Sequence, residues 1–175
     1  KGDAPITCEF TSNFGSIESN IIRDSNAAVG ISVAYGDNGN GNPYPFDAIR
    51  DISIVNNVVH NKATAPAGAY GINIYSGSIQ GSGIVCRGNV LDGFNLGIAA
   101  QYIARSAVDD NHVLNMTGSN TVMVLAAWLS WSTIKGNVTD AVTGDHTIKL
   151  TSYASNDCNY VSVIDNTTLV SGATA

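Results

Sequence analysis

The stretch ISIVNNVV, Ile52–Val59, decides the fold. Ile52, Ile54 and Val59 alternate as the buried side of a strand would, yet Asn57 falls where that side should stay apolar. Asparagine is a poor strand residue and costly to bury, so its place in this pattern needs a structural reason. The same octet returns along the chain as GSIESNII, IVCRGNVL, AVDDNHVL, STIKGNVT and VSVIDNTT. Together these align Asn20, Asn57, Asn89, Asn111, Asn137 and Asn166, at successive gaps of 37, 32, 22, 26 and 29 residues.

Between these rungs lies a second run of alternating residues: GISVAYG, YGINIYSG, LGIAAQY, TVMVLAA and HTIKLTS. Short strands at a period near 22 residues, with no helical pattern between them, predict a solenoid of stacked parallel strands. The expected fold is all-β: one parallel β-helix domain over 1–175, with two strands per coil, about six coils and an inward asparagine ladder. In such a column each amide offers donors and an acceptor to its neighbour one coil away, about 4.8 Å along the stack. The sequons at Asn137 and Asn166 coincide with ladder positions, where an inward side chain leaves no room for a glycan.

Composition supports a turn-rich β protein. The chain has 175 residues, of which 13% are charged, with only two Glu against 19 Asn and 18 Gly. That leaves little Glu, Lys or Arg to cover exposed helices. A net charge of −6 speaks against nucleic acid as a partner, since phosphate binding relies on clustered Lys and Arg. No apolar run is long enough for membrane insertion by a helix. Cys8, Cys86 and Cys158 cannot all pair within one chain, and Cys8 and Cys86 sit on apolar alternations as small core residues.

Through these Φ-x-x-N-x-Φ rungs the chain resembles right-handed parallel β-helix proteins of the pectate-lyase-like group. That group includes polysaccharide lyases, C5-epimerases and bacteriophage tailspikes. The chain shows no N-terminal signal-peptide pattern, and no capping helix is visible. These features make it most similar to a tailspike or appendage segment cut from a longer protein. The resemblance implies a virion-tail or otherwise extracellular location, a homotrimer, and binding of bacterial surface polysaccharide, with depolymerisation left open. A lyase, hydrolase or epimerase of the same fold is one alternative, and a structural shaft or adhesin without activity is another. No cofactor and no metal site is implied.

No catalytic motif of that group can be matched here, so candidate residues rest on position. Three residues past each Asn come Arg23, His60, Asp92, Leu114, Asp140 and Leu169. His60 beside Asp92 is the candidate acid/base pair, against the plainer reading of a solvated turn. Asn73, Tyr75, Gln101 and Lys149 are expected to form an outward polar stripe for an oligosaccharide, joined by Tyr44 from the Gly- and Asn-rich insertion. Met123, Leu125, Trp128 and Trp131 are expected as an apolar subunit interface. Arg87, Asp109 and Lys135 alternate in sign as a surface salt-bridge ladder.

Overall fold

The computed structural model describes residues 5–9, 13–25, 27–34, 48–62, 69–77, 79–117, 121–140, 146–152 and 157–169. Among these residues there is no helix, and all strand pairing is parallel. Each turn of the chain passes through three strand positions. The first is taken by β1 (Ile6–Glu9), β4 (Val29–Ala34), β7 (Tyr70–Tyr75), the start of β11 (Leu96–Ala104), the start of β14 (Val122–Lys135) and β16 (His146–Thr151). The second is taken by β2 (Asn13–Glu18), β5 (Arg50–Val55), β8 (Gly81–Ser82) with β9 (Val85–Arg87), the end of β11 with β12 (Ala107–Asp109), the end of β14, and β17 (Asn159–Ile164). The third holds β3 (Ile21–Ser25), β6 (Val58–Asn61), β10 (Val90–Asp92), β13 (His112–Leu114), β15 (Val138–Thr139) and β18 (Thr167–Thr168).

The third strands form an open six-stranded sheet in the order β18-β15-β13-β10-β6-β3. The other twelve belong to one connected sheet, and six of them close a pairing ring: β11–β8–β5–β9–β12–β14, with β14 returning to β11. This closure corrects the expected open, two-strand solenoid of the pectate-lyase-like kind. Its cause is local. One column of left-handed residues, Asp51, Gly83, Arg105 and Trp131 (φ 52°, 72°, 48° and 51°), crosses the second strand position. β5 and β14 run through it without a break, whereas β8 and β9 are split at Gly83, and β11 and β12 at Arg105, so that both β8 and β9 pair with β5 and both β11 and β12 pair with β14. Around the ring and along the open sheet each residue still faces its counterpart one repeat away, as Val59, Leu91 and Val113 do.

The asparagines stand where the second strand bends into the third. Each is preceded by a residue at positive φ: Ser19, Asn56, Gly88, Asp110, Gly136 and Asp165. Glycine, or a short polar side chain that bonds locally, tolerates this conformation best. The bend aims the amide inward, and Asn57, Asn89, Asn111 and Asn137 are fully buried. The backbone N–H and the Nδ2 of Asn57 both donate to Oδ1 of Asn89, at 3.0 and 2.9 Å. Asn57 Nδ2 also donates back to the Ile17 carbonyl at 2.8 Å. Asn89 and Asn111 repeat the arrangement, so each side chain ties three turns together.

Around the column sits the apolar core, including Ile31, Ile54, Ile72, Leu91, Phe94, Ile98 and Leu129. Cys86 lies within it, its thiol pushed up to about 12 by burial, lowered in part by the Asn89 hydrogen bond and raised again by the charge of Asp109. Met123 is also in the core and does not reach the surface expected of it. Pairing of Ala99 with Leu125 puts Met123 opposite Gly97, so its position is the one glycine fills in earlier turns. A methyl group on Gly97 would lie 2.5 Å from the Met123 carbonyl oxygen.

Candidate functional site

The outer face of the open sheet carries a groove of about 480 Å³. Side chains at the first and third positions of β3, β6, β10 and β13 point outward there, opposite to the buried Val59, Leu91 and Val113. Ile21, Val58, Val90 and Leu114 give it an aliphatic lining, and Arg23, Asp24, His60 and Asp92 a polar one.

Register decides which polar groups meet. β3 pairs Ile22 with Val59 but Ser25 with Asn61, so Arg23 and Asp24 together oppose the single residue His60. This is a β-bulge, with Asp24 at φ 53°. The extra residue places Asp24 Oδ1 4.0 Å from His60 Nδ1. On the other side β10 puts Asp92 directly beside His60, with Oδ2 3.5 Å from Nε2. The imidazole is thus bracketed by two carboxylates, one on each neighbouring strand, at distances longer than a formed hydrogen bond.

Asp92 is the better fixed of the two carboxylates. Its Oδ1 accepts a hydrogen bond of 2.8 Å from Asn115 Nδ2. The Asn115 backbone N–H in turn donates to the carboxylate of Asp140, at 2.9 and 3.1 Å. Asn115 can do this because it leaves β13 with φ 47°, at the place held by Gly93 one turn earlier. Asp92 is largely shielded, His60 half-exposed and Asp24 well exposed. One oxygen of Asp92 is therefore committed to the protein, while Oδ2 and the imidazole face the groove.

The other expected groups are dispersed. Asn73 and Lys149 lie in one outward column but are separated by Ala99 and Leu125, about 14 Å at the strand spacing. Tyr75 and Gln101 are direct neighbours in a second column, and Tyr75 continues edge-on through Tyr102 to Trp128. Trp131 is on a different strand position, stacked on Tyr160 at 4.1 Å with both rings exposed. Trp128 and Trp131 thus join different aromatic groups. Tyr44 lies outside the described residues. In the charge ladder, Arg87 meets Asp109 at 3.0 Å, but the other Asp109 oxygen accepts from Thr133, not from Lys135.

Set against known proteins, the chain matches no family model, no curated protein and no solved structure. The family stays open. The resemblance to pectate-lyase-like proteins therefore gains no support, and the tailspike and polysaccharide-lyase reading that rested on it falls with the solenoid it assumed. Among the described residues no group of three His, Cys, Asp or Glu could hold a metal ion. Sequence reasoning brought His60 and Asp92 together but missed Asp24 and Asn115. The one is hidden by the bulge; the other carries the signal of an Asn just past a strand, where the previous turn has Gly93.

Proposed function

We propose that this chain is a binding module whose groove takes a polyhydroxylated ligand of the carbohydrate class. The observation that carries this reading is Asp92, anchored through Oδ1 by Asn115 while Oδ2 and the neighbouring His60 remain open to the groove. A preset carboxylate accepts hydrogen bonds from adjacent hydroxyls, and such charge-assisted bonds are worth about 1.5–3 kcal/mol each. His60 adds a donor or acceptor beside it, and Val58 and Val90 offer an aliphatic bed for the C–H face of a ring. The groove volume falls in the range that holds small ligands, roughly 300–1,000 Å³.

Titration calorimetry with a panel of neutral oligosaccharides tests the reading. Asp92→Asn should weaken the best binder at least about tenfold, the equivalent of 1.4 kcal/mol, without changing the strand signal in circular dichroism. A panel with no binder, or a binder indifferent to Asp92→Asn, would overturn it.

A further inference from the structure

The charges that line the groove do not balance. Arg23 is positive, Asp24 and Asp92 are negative, and a third carboxylate, Asp140, lies behind Asp92 through Asn115. Among the described residues the ion pairs of Asp24 and Asp92 are both with His60, and neither carboxylate pairs with a Lys or Arg. Arg23 belongs to β3, two strands from Asp92, a backbone separation of about 10 Å at the strand spacing. The Asp92 side chain is 26% exposed, so water and salt screen it only in part. With Oδ1 held by Asn115, Oδ2 faces the groove without a Lys or Arg to meet it.

The aliphatic bed and this oxygen share one face of the same two strands. Val58 pairs with Val90, and His60 with Asp92 two residues further along, a step of about 6.6 Å. A sugar ring laid on the valines turns one edge substituent toward Oδ2. A hydroxyl there donates to a charged acceptor, whereas an ammonium makes a bond in which both partners are charged, which is the stronger of the two. A carboxylate at the same atom meets Asp92 and Asp24 as like charges. A bare calcium ion fits less well, since it takes six to eight oxygen ligands and no group of three His, Cys, Asp or Glu comes together among the described residues.

We propose that the groove selects saccharides that carry a protonated amine, with Asp92 Oδ2 accepting from the ammonium and Asp24 adding to its attraction. The selection rests on the carbohydrate reading given above and fixes the charge of the ligand. Charge complementarity singles out this occupant, because the lining sets one cation against two carboxylates.

Titration calorimetry with three β-1,4-linked pentasaccharides tests this: those of glucosamine, N-acetylglucosamine and glucuronic acid, in low-salt buffer slightly below neutral pH so that the amine is charged. Acetylation removes the charge at the same nitrogen. The glucosamine pentamer should bind at least about tenfold more tightly than the acetylated one, and the glucuronic acid pentamer most weakly. Asp92→Asn should bring the glucosamine and N-acetylglucosamine pentamers to within about twofold of each other. A general attraction of cations to a chain of net charge −6 would not vanish with that one residue. Asp24→Asn should narrow the ratio by a smaller factor, and it carries the test if Asp92→Asn fails to fold. A glucosamine pentamer that binds no tighter than the acetylated one, or not at all, would overturn the proposal. So would a preference that survives Asp92→Asn or stays unchanged in Asp24→Asn. In those cases a neutral binder still upholds the carbohydrate reading; if no saccharide binds, charged or neutral, both fall.

Discussion

Replacing Asn89 by leucine removes the centre of the asparagine column while keeping the number and branching of side-chain heavy atoms. Asn89 is fully buried and its amide makes four strong contacts. Oδ1 accepts from Asn57 N–H at 3.0 Å and Asn57 Nδ2 at 2.9 Å, and Nδ2 donates to the Ile54 carbonyl at 2.8 Å and Asn111 Oδ1 at 2.9 Å. Asn111 Oδ1 keeps the bond from the residue 89 backbone N–H, so it is not orphaned. Two groups are: Asn57 N–H and one Asn57 Nδ2 hydrogen, while the Ile54 carbonyl stays in the β5–β9 ladder. At about 1–3 kcal/mol for each buried orphan, offset by the added apolar surface of leucine, the net cost is about 2–4 kcal/mol. Asn20→Leu is the control. It strands no partner, because Asn57 Oδ1 retains the Asn20 backbone N–H, and should cost under about 1 kcal/mol. Urea unfolding followed by circular dichroism measures both. An Asn89→Leu protein within about 0.5 kcal/mol of the parent, or no worse than Asn20→Leu, would refute the reasoning, since orphaned interior amides could not then be the cost.

Gly97→Ala should destabilise by about 1–3 kcal/mol, because the new methyl would meet the Met123 carbonyl oxygen at 2.5 Å and Val113 methyl carbons at 2.8 and 3.0 Å; the same unfolding assay reads it. The buried Cys86 thiol makes stability fall at high pH. Below its ordinary value of 9.0 the thiol is protonated in both states, whereas between 9.0 and about 12 only the unfolded chain ionises. Stability should drop there by up to about 1.4 kcal/mol per pH unit beyond the slope of a Cys86→Ala protein. Matching slopes in urea titrations from pH 8 to 11 would show that the thiol is not protected.

Six evenly patterned octets made the asparagine positions legible, because an amide recurring where an apolar residue belongs has few explanations. What periodicity could not show was that each octet is two strands meeting at the Asn, since the residue that makes the bend varies among Ser, Asn, Gly and Asp. The ring closure was hidden for a related reason. Asp51 and Trp131 carry no sequence mark that sets them apart, and only their left-handed backbone angles take β5 and β14 unbroken through the place where β8/β9 and β11/β12 are split. At the groove, His60 and Asp92 share a column that spacing reveals, while the bulge at Arg23 and Asp24 shifts the count by one and conceals the second carboxylate. Met123 was misplaced outward because alternation was counted without the glycine column it completes.

The central functional claim is that the groove on the open sheet, and not the exposed Trp131–Tyr160 stack, receives a saccharide. Amide and side-chain NMR shifts recorded during titration with the tightest-binding neutral oligosaccharide test it most directly. The account predicts saturating shifts confined to residues 21–24, 58–60, 90–92 and 114–115, with the His60 ring protons among the largest. Shifts centred on Trp131 and Tyr160, with His60 and Asp92 unmoved, would contradict it.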